Sequence, residues 1–228
     1  MNTEFIIEAA KAIQQTILAN ENTLESLDRA IGDGDHYINM KRGANVIVEI
    51  EAELAPLKPS EALNKIGMKL LSTIGGASGP LLASFFISMA KVLDTQAREN
   101  QGLKENGDES TLKIATAFAA GVQAIIQRGK ANLGEKTMLD VLIPVSNQFV
   151  LLTTQNCDIE LICATLIHTA EQGMLATKDL IATKGRAAGL GERAIGHIDP
   201  GAKSCQLMIE AACKLMLESR KVLLESDR

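Results

Sequence analysis

Three aspartates, Asp28, Asp33 and Asp35, fall within eight residues in the stretch Leu27-Asp28-Arg29-Ala30-Ile31-Gly32-Asp33-Gly34-Asp35-His36. Carboxylates this close repel one another unless cations sit between them. Hard oxygen donors of this kind suit Mg²⁺ or Ca²⁺ rather than zinc. The D-x4-D-x-D spacing lacks the later glutamate of an EF-hand, so that calcium loop is excluded. Spacing alone fits either a metal site or a solvated acidic turn.

The glycines add a second signal. Of 18, 12 lie in four segments between predicted helices: Gly32 and Gly34; Gly75, Gly76 and Gly79; Gly129 and Gly134; and Gly185, Gly189, Gly191, Gly196 and Gly201. A helix–helix turn needs one glycine at most, for a C-cap. Clusters suggest close approach of backbone to a ligand, and amides at a helix start suit phosphate. Gly75-Gly76-Ala77-Ser78-Gly79-Pro80 offers such amides together with a hydroxyl. Arg186 and Arg193 are available to neutralise phosphate charge. Of the three histidines, His168 lies in an apolar helical stretch and reads as structural, whereas His36 and His197 lie in glycine loops.

Other chemistries are excluded. Gly196 through Ser204 is not a P-loop, because Ala202 separates Gly201 from Lys203 and no strand precedes it. Gly32-x-Gly34 lacks the third glycine of a dinucleotide turn, and the histidines assemble no Ser–His–Asp triad. Cys157, Cys163, Cys205 and Cys213 show no CxxC spacing and read as reduced thiols.

The elements that must hold these loops are helices. Apolar residues recur at helical spacing from Ile6 through Ile17, predicting a first helix over about 3–20. Further helices are expected over about 36–55, 60–74 with Ser60 as N-cap, and 80–97 with Pro80 in the first turn. A polar loop containing Gly102 and Gly107-Asp108 precedes a fifth at about 109–128. A sixth starts near Thr137 and includes Pro144, which should kink it. A seventh is capped by Asp158 and runs to about 183, and an eighth runs from near Pro200 to about 225. The expectation is an all-α, single-domain antiparallel eight-helix barrel or bundle over residues 1–228, with no strand. Alternate loops of such a barrel share one end, and the four glycine clusters fall on that end.

Composition agrees. Hydrophobic residues make up 46% and aromatics only 3%, so Ala, Leu and Ile carry the core, which favours helices. A net charge of −5 with no basic run argues against a nucleic-acid surface. No apolar stretch reaches about 18 residues, so no membrane span is expected. The N-terminus lacks a signal-peptide layout, and the expected location is cytoplasmic.

Taken in order, five blocks resemble the nucleotide-binding L subunit of the phosphotransferase-system dihydroxyacetone kinase, equivalently the C-terminal domain of ATP-dependent dihydroxyacetone kinases. They are Leu27 through His36, Gly75 through Pro80, Gly134-Glu135-Lys136-Thr137-Met138-Leu139-Asp140, Lys184-Gly185-Arg186-Ala187, and Leu190 through Ala202. The resemblance implies an eight-helix barrel with ADP or ATP across one end, and two Mg²⁺ ions held by Asp28, Asp33 and Asp35. It implies a nucleotide site of His36, Tyr37, Ile38, Asn39, Ala77, Ser78, Gly129, Met138, Arg186, Asp199, Pro200 and Gly201. It further implies no nucleophilic side chain, and a phosphoryl group passed from a phosphohistidine carrier to dihydroxyacetone on a separate K subunit. A free-ATP kinase subunit for a related ketose, a nucleotide-loaded module that binds a transcription regulator, and a homodimer are further readings compatible with it. The chain departs from the family pattern at Tyr37, where a small residue is usual, and at Leu81-Leu82-Ala83, where Leu-Tyr-Gly is common. Both departures are expected to reshape the pocket or the partner face.

Overall fold

A computed structural model describes residues 2–99 and 107–226. Among these residues the chain forms ten α-helices and two short 3₁₀ segments, with no strand. They are α1 (Thr3–Ala19), α2 (Glu21–Ile31), α3 (His36–Glu49), α4 (Glu51–Leu54), α5 (Pro59–Thr73), α6 (Ser78–Glu99), α7 (Gly107–Gly129), α8 (Leu139–Thr154), α9 (Ile159–Ala176) and α10 (Pro200–Ser226). The 3₁₀ segments, Thr177–Asp179 and Arg186–Ala194, lie between α9 and α10.

Each long helix buries one stripe. On α5, Ala62, Leu63, Ile66 and Leu70 share a face and are all buried. Each large aliphatic side chain removed from water this way stabilises by about 1.5–3 kcal/mol. The stripes close a ring: α1 packs on α3, α3 on α5, then α5 through α10 each on the next, and α10 returns to α1. That ring is the expected eight-helix barrel. Its centre is aliphatic, with one aromatic file of Phe86, Phe85, Phe118 and Phe149 meeting edge to face, centroids 5.3, 5.3 and 6.2 Å apart.

Several expected boundaries move. The helix expected over 36–55 breaks at Ile50 into α3 and α4. Ser60 is not a cap, because Pro59 takes the first helical position and the Glu61 carboxylate accepts from Lys58 N at 3.0 Å. The helix expected to reach about 183 stops at Ala176 and turns into 3₁₀ geometry. Gly107 and Asp108 begin α7 instead of preceding it, and Gly102 lies outside the described residues.

The one unforeseen helix is α2. Leu24, Asp28 and Ile31 lie on its buried face at i, i+4 and i+7, and it packs against α3, α10 and the Arg186–Ala194 segment. This register makes the first aspartate a buried residue, 4% exposed. No described helix is long and apolar enough to cross a membrane. The four cysteines are free, with Cys163, Cys205 and Cys213 buried as expected of core thiols.

Candidate functional site

At one end of the ring, all four glycine-bearing connections enclose a cavity of about 470 Å³. Asp28, in the last turn of α2, projects into it and accepts from the His36 amide at 2.9 Å. Asp33 follows in the α2–α3 turn, and Asp35 is the residue before α3. One oxygen from each of the three carboxylates lies within 4.8 Å of the others. A Cβ on Gly32 would stand 1.8 Å from Asp28 Oδ1, so glycine there is what lets the carboxylate occupy this position. The Arg186 guanidinium meets the cluster, its Nε 2.7 Å from Asp33 Oδ2.

The wall facing the carboxylates is made of helix starts. The first turns of α3, α6, α8 and α10 all line the cavity, through His36, Ser78, Leu139 and Pro200 respectively. A helix N-terminus carries roughly half a positive charge and favours anions; here the starts of α3, α8 and α10 are already met by Asp28, Thr137 and Asp199. Three carboxylates and four helix starts thus meet in one cavity, and the carboxylate oxygens are close enough together to share a cation. Hard oxygens of this number and spacing fit Mg²⁺.

The side chains around this wall are tightly fixed. His36 Nε2 and Ser204 Oγ share a hydrogen bond of 2.7 Å, and Ser204 Oγ also lies 3.0 Å from the Pro200 carbonyl. Burial pulls the His36 pKa down, against the pull of Asp28 and Asp35. Asp199 caps α10, accepting from Ala202 N at 2.7 Å, and burial pushes its carboxyl up to about 7. Asp140 shapes the α7–α8 turn, accepting from Gly134 N at 2.5 Å and from Thr137 N at 2.7 Å. Lys136 is 1% exposed, and its ammonium donates to the carbonyls of Thr177 and His197. Desolvation lowers its pKa, against Asp199, Asp179 and Asp140.

Most of the residues singled out in the sequence meet here. Asp28, Asp33, Asp35, His36 and Asn39 line one side, Ala77, Ser78 and Gly129 another, and Met138, Arg186, Asp199, Pro200 and Gly201 the rest. Tyr37 and Ile38 do not. Tyr37 is 2% exposed inside the barrel core, and Ile38 is 51% exposed on the outer surface. Successive helical residues are turned about 100° apart, so His36 and Asn39 share the cavity face while the two between them point elsewhere. The expected effect of Tyr37 and Leu82 on the pocket is therefore corrected: both side chains pack in the core, and Leu81 is the one that reaches the cavity. Arg193 and the His197 ring lie off the wall. Sequence reasoning passed over Lys136, Thr137, Arg128 and Lys184, which line it. Lys136 sat in a quoted motif, but nothing in a sequence marks a lysine as buried.

Residues 30–214 match the DAK2 domain. The chain belongs to that family. Among DAK2-containing proteins, it is 39% identical over 197 residues to the ADP-binding subunit of PEP-dependent dihydroxyacetone kinase 1 of Listeria innocua, covering 86% of this chain and 88% of that subunit. It is 41% identical over 187 residues to the corresponding ADP-binding subunit of Escherichia coli, covering 82% and 84%. Human triokinase/FMN cyclase is 29% identical across 88% of this chain, which spans 33% of that protein. The crystal structure of the dihydroxyacetone kinase from C. freundii in complex with AMP-PNP and Mg²⁺ superposes with a TM-score of 0.67 at 23% identity, covering 91% of this chain and 33% of that one. At that identity the likeness concerns the DAK2 fold.

Proposed function

We propose that this chain is the ADP-binding subunit of a phosphoenolpyruvate-dependent dihydroxyacetone kinase, working in the cytoplasm as the relay between a phosphohistidine carrier and a substrate-holding K subunit. The observation that carries this reading is the meeting of three carboxylates and four helix N-termini in one cavity. Asp28, Asp33 and Asp35 would hold two Mg²⁺ ions, and the amides and the Ser78 hydroxyl at the start of α6 would hold phosphate of ADP or ATP. Bound there, the ions supply charge neutralisation to the transferring phosphoryl group. Leu81, Ile125 and Met138 give the cavity an apolar side suited to a nucleobase. Arg186 brings a positive charge to the mouth, where it rests on Asp33.

The wall offers no activated nucleophile. His36 Nε2 is engaged by Ser204 Oγ, and no cysteine among the described residues lines the cavity. Phosphoryl transfer needs positioning and charge neutralisation more than covalent chemistry, so this lack is consistent with a relay. The acceptor hydroxyl then has to arrive on another chain at the open mouth.

The reading is tested by reconstitution. Nucleotide-loaded protein is mixed with the K subunit, dihydroxyacetone, the carrier proteins and phosphoenolpyruvate, and dihydroxyacetone phosphate is measured. Turnover is expected with phosphoenolpyruvate and not when ATP replaces the carriers. Equal turnover with ATP alone would contradict the relay and favour an ATP-fed kinase.

A further inference from the structure

Between α9 and α10 the chain leaves the barrel as a flap, residues 180–196, that carries Arg186 out to the metal loop. The flap has a small apolar underside of its own, in which Ala182, Ala187 and Ala194 pack on Ile31 with Leu190 alongside. Its backbone turns at Gly185 with φ 68°, a conformation favouring glycine, directly before Arg186. Little apolar surface holds such a segment, so its position depends on polar ties at its base.

Those ties converge on two adjacent residues of the α7–α8 turn. The Lys136 ammonium donates to the Thr177 carbonyl just before the flap and to the His197 carbonyl just after it. Its neighbour Glu135 accepts from the Thr183 hydroxyl at 2.8 Å and from the Thr183 amide at 3.4 Å. The base is further cinched by Gly196 N to the Lys178 carbonyl at 2.8 Å and by Asp199 N to Thr177 Oγ1 at 3.0 Å. Lys136 adopts φ 59°, unusual for a residue with a side chain, and this turns its stem inward under the cavity floor. A methionine would fill the same volume without the cost of desolvating a charge. What the ammonium adds is a pair of directed donors that hold two distant carbonyls together.

We propose that Lys136 is a positioning residue for phosphoryl transfer: by joining Thr177 to His197 it closes the base of the flap and thereby fixes where Arg186 meets the metal loop. It acts through Arg186 and contacts no reacting atom. The inference rests on the relay function above, but the anchoring it describes is measurable without activity.

The test is amide hydrogen exchange on the purified, nucleotide-loaded chain, paired with reconstituted transfer kinetics, for Lys136→Met and Lys136→Arg. In Lys136→Met, exchange over residues 180–196 is expected to rise about tenfold while α5 and α6 keep their protection. The transfer kcat is expected to fall about tenfold with the KM for the substrate-loaded K subunit changed by less than about twofold. Lys136→Arg, which keeps two donors, is expected to recover most of both losses. Unchanged flap exchange, a uniform rise across all helices, or an arginine variant no better than methionine would each overturn the proposal. So would a loosened flap with unchanged kcat. If Lys136→Met does not accumulate as folded protein, Glu135→Ala removes the Thr183 hydroxyl tie together with the Asn132 amide contact, and keeps the backbone bond from the Thr183 amide. It is expected to raise flap exchange by about threefold, and no rise in that variant also overturns the proposal. A wild-type chain that transfers no phosphoryl group contradicts the relay function instead, and leaves the exchange result to decide the anchor.

Discussion

The aspartate loop keeps its geometry because one position has no side chain. An alanine at residue 32 would place its Cβ 1.8 Å from Asp28 Oδ1, so the carboxylate must leave its place beside the His36 amide. Gly32→Ala is therefore expected to lower retained nucleotide by about tenfold while the helical circular dichroism signal persists. Full retention in that variant would show that Asp28 is not needed where it stands. Tyr37 makes the opposite case. Its hydroxyl is buried with no well-aligned hydrogen bond, and its pKa is raised by burial first and by a loose hydrogen bond to the Glu21 side chain second. Removing an unsatisfied buried hydroxyl is neutral or favourable, so Tyr37→Phe should leave stability within about 1 kcal/mol or raise it. Nucleotide retention should not change, because the ring lies in the core. The three aspartates were legible in the sequence because their repulsion demands an explanation wherever they fold. The direction of Tyr37 was not, since one residue of helix phase separates a cavity wall from a barrel core. Lys136 was not either, because its role depends on two carbonyls 41 and 61 residues away in sequence.

At the scale of elements, the barrel was readable because Ala, Leu and Ile recur at helical spacing, and its eight ring helices follow that pattern. The helix α2 was missed although Leu24, Leu27 and Ile31 fall at i, i+3 and i+7, because it is short and follows α1 after the single residue Asn20. The start of α10 carries a pH dependence. Asp199 has a folded-state pKa of about 7, against an ordinary 3.8, with burial the leading cause. A raised carboxyl pKa means the unfolded chain ionises first, so stability from this group is full below about pH 4 and is lost as pH rises toward 7. At about 1.4 kcal/mol per pH unit the loss is of order a few kcal/mol. Asp199→Asn keeps a capping oxygen, so the nucleotide-stripped variant should gain on wild type in denaturant unfolding as pH rises from about 4 to about 7. Parallel pH profiles would contradict the assignment. The α8–α9 contact is equally specific. Pro144 gives no amide to the Asp140 carbonyl, and Gly173 of α9 packs against that carbonyl, where a Cβ would come within 2.3 Å. Gly173→Ala should therefore destabilise by about 1–3 kcal/mol despite its better helix propensity, lowering the midpoint of thermal unfolding by several degrees.

The whole molecule divides labour by end. One end of the ring gathers four connections into a cavity, and the barrel below it does nothing but hold four helix starts in a common direction. The glycine clusters made that end visible in the sequence, because alternate connections of an antiparallel ring must share an end. What stayed hidden was the flap, since its short 3₁₀ turns and alanine underside leave no periodic trace. The same arrangement explains why a bound nucleotide should behave as a resident group: it would be held by metal carboxylates, a helix terminus and a flap at once, and release would require all three to let go. The most direct check is to purify the chain without added nucleotide, denature it and identify what is set free. The account predicts ADP and Mg²⁺ in near-stoichiometric amounts, and their loss from Asp33→Ala with the helical fold intact. An empty wild-type protein, or an Asp33→Ala variant that keeps its ADP, would contradict it.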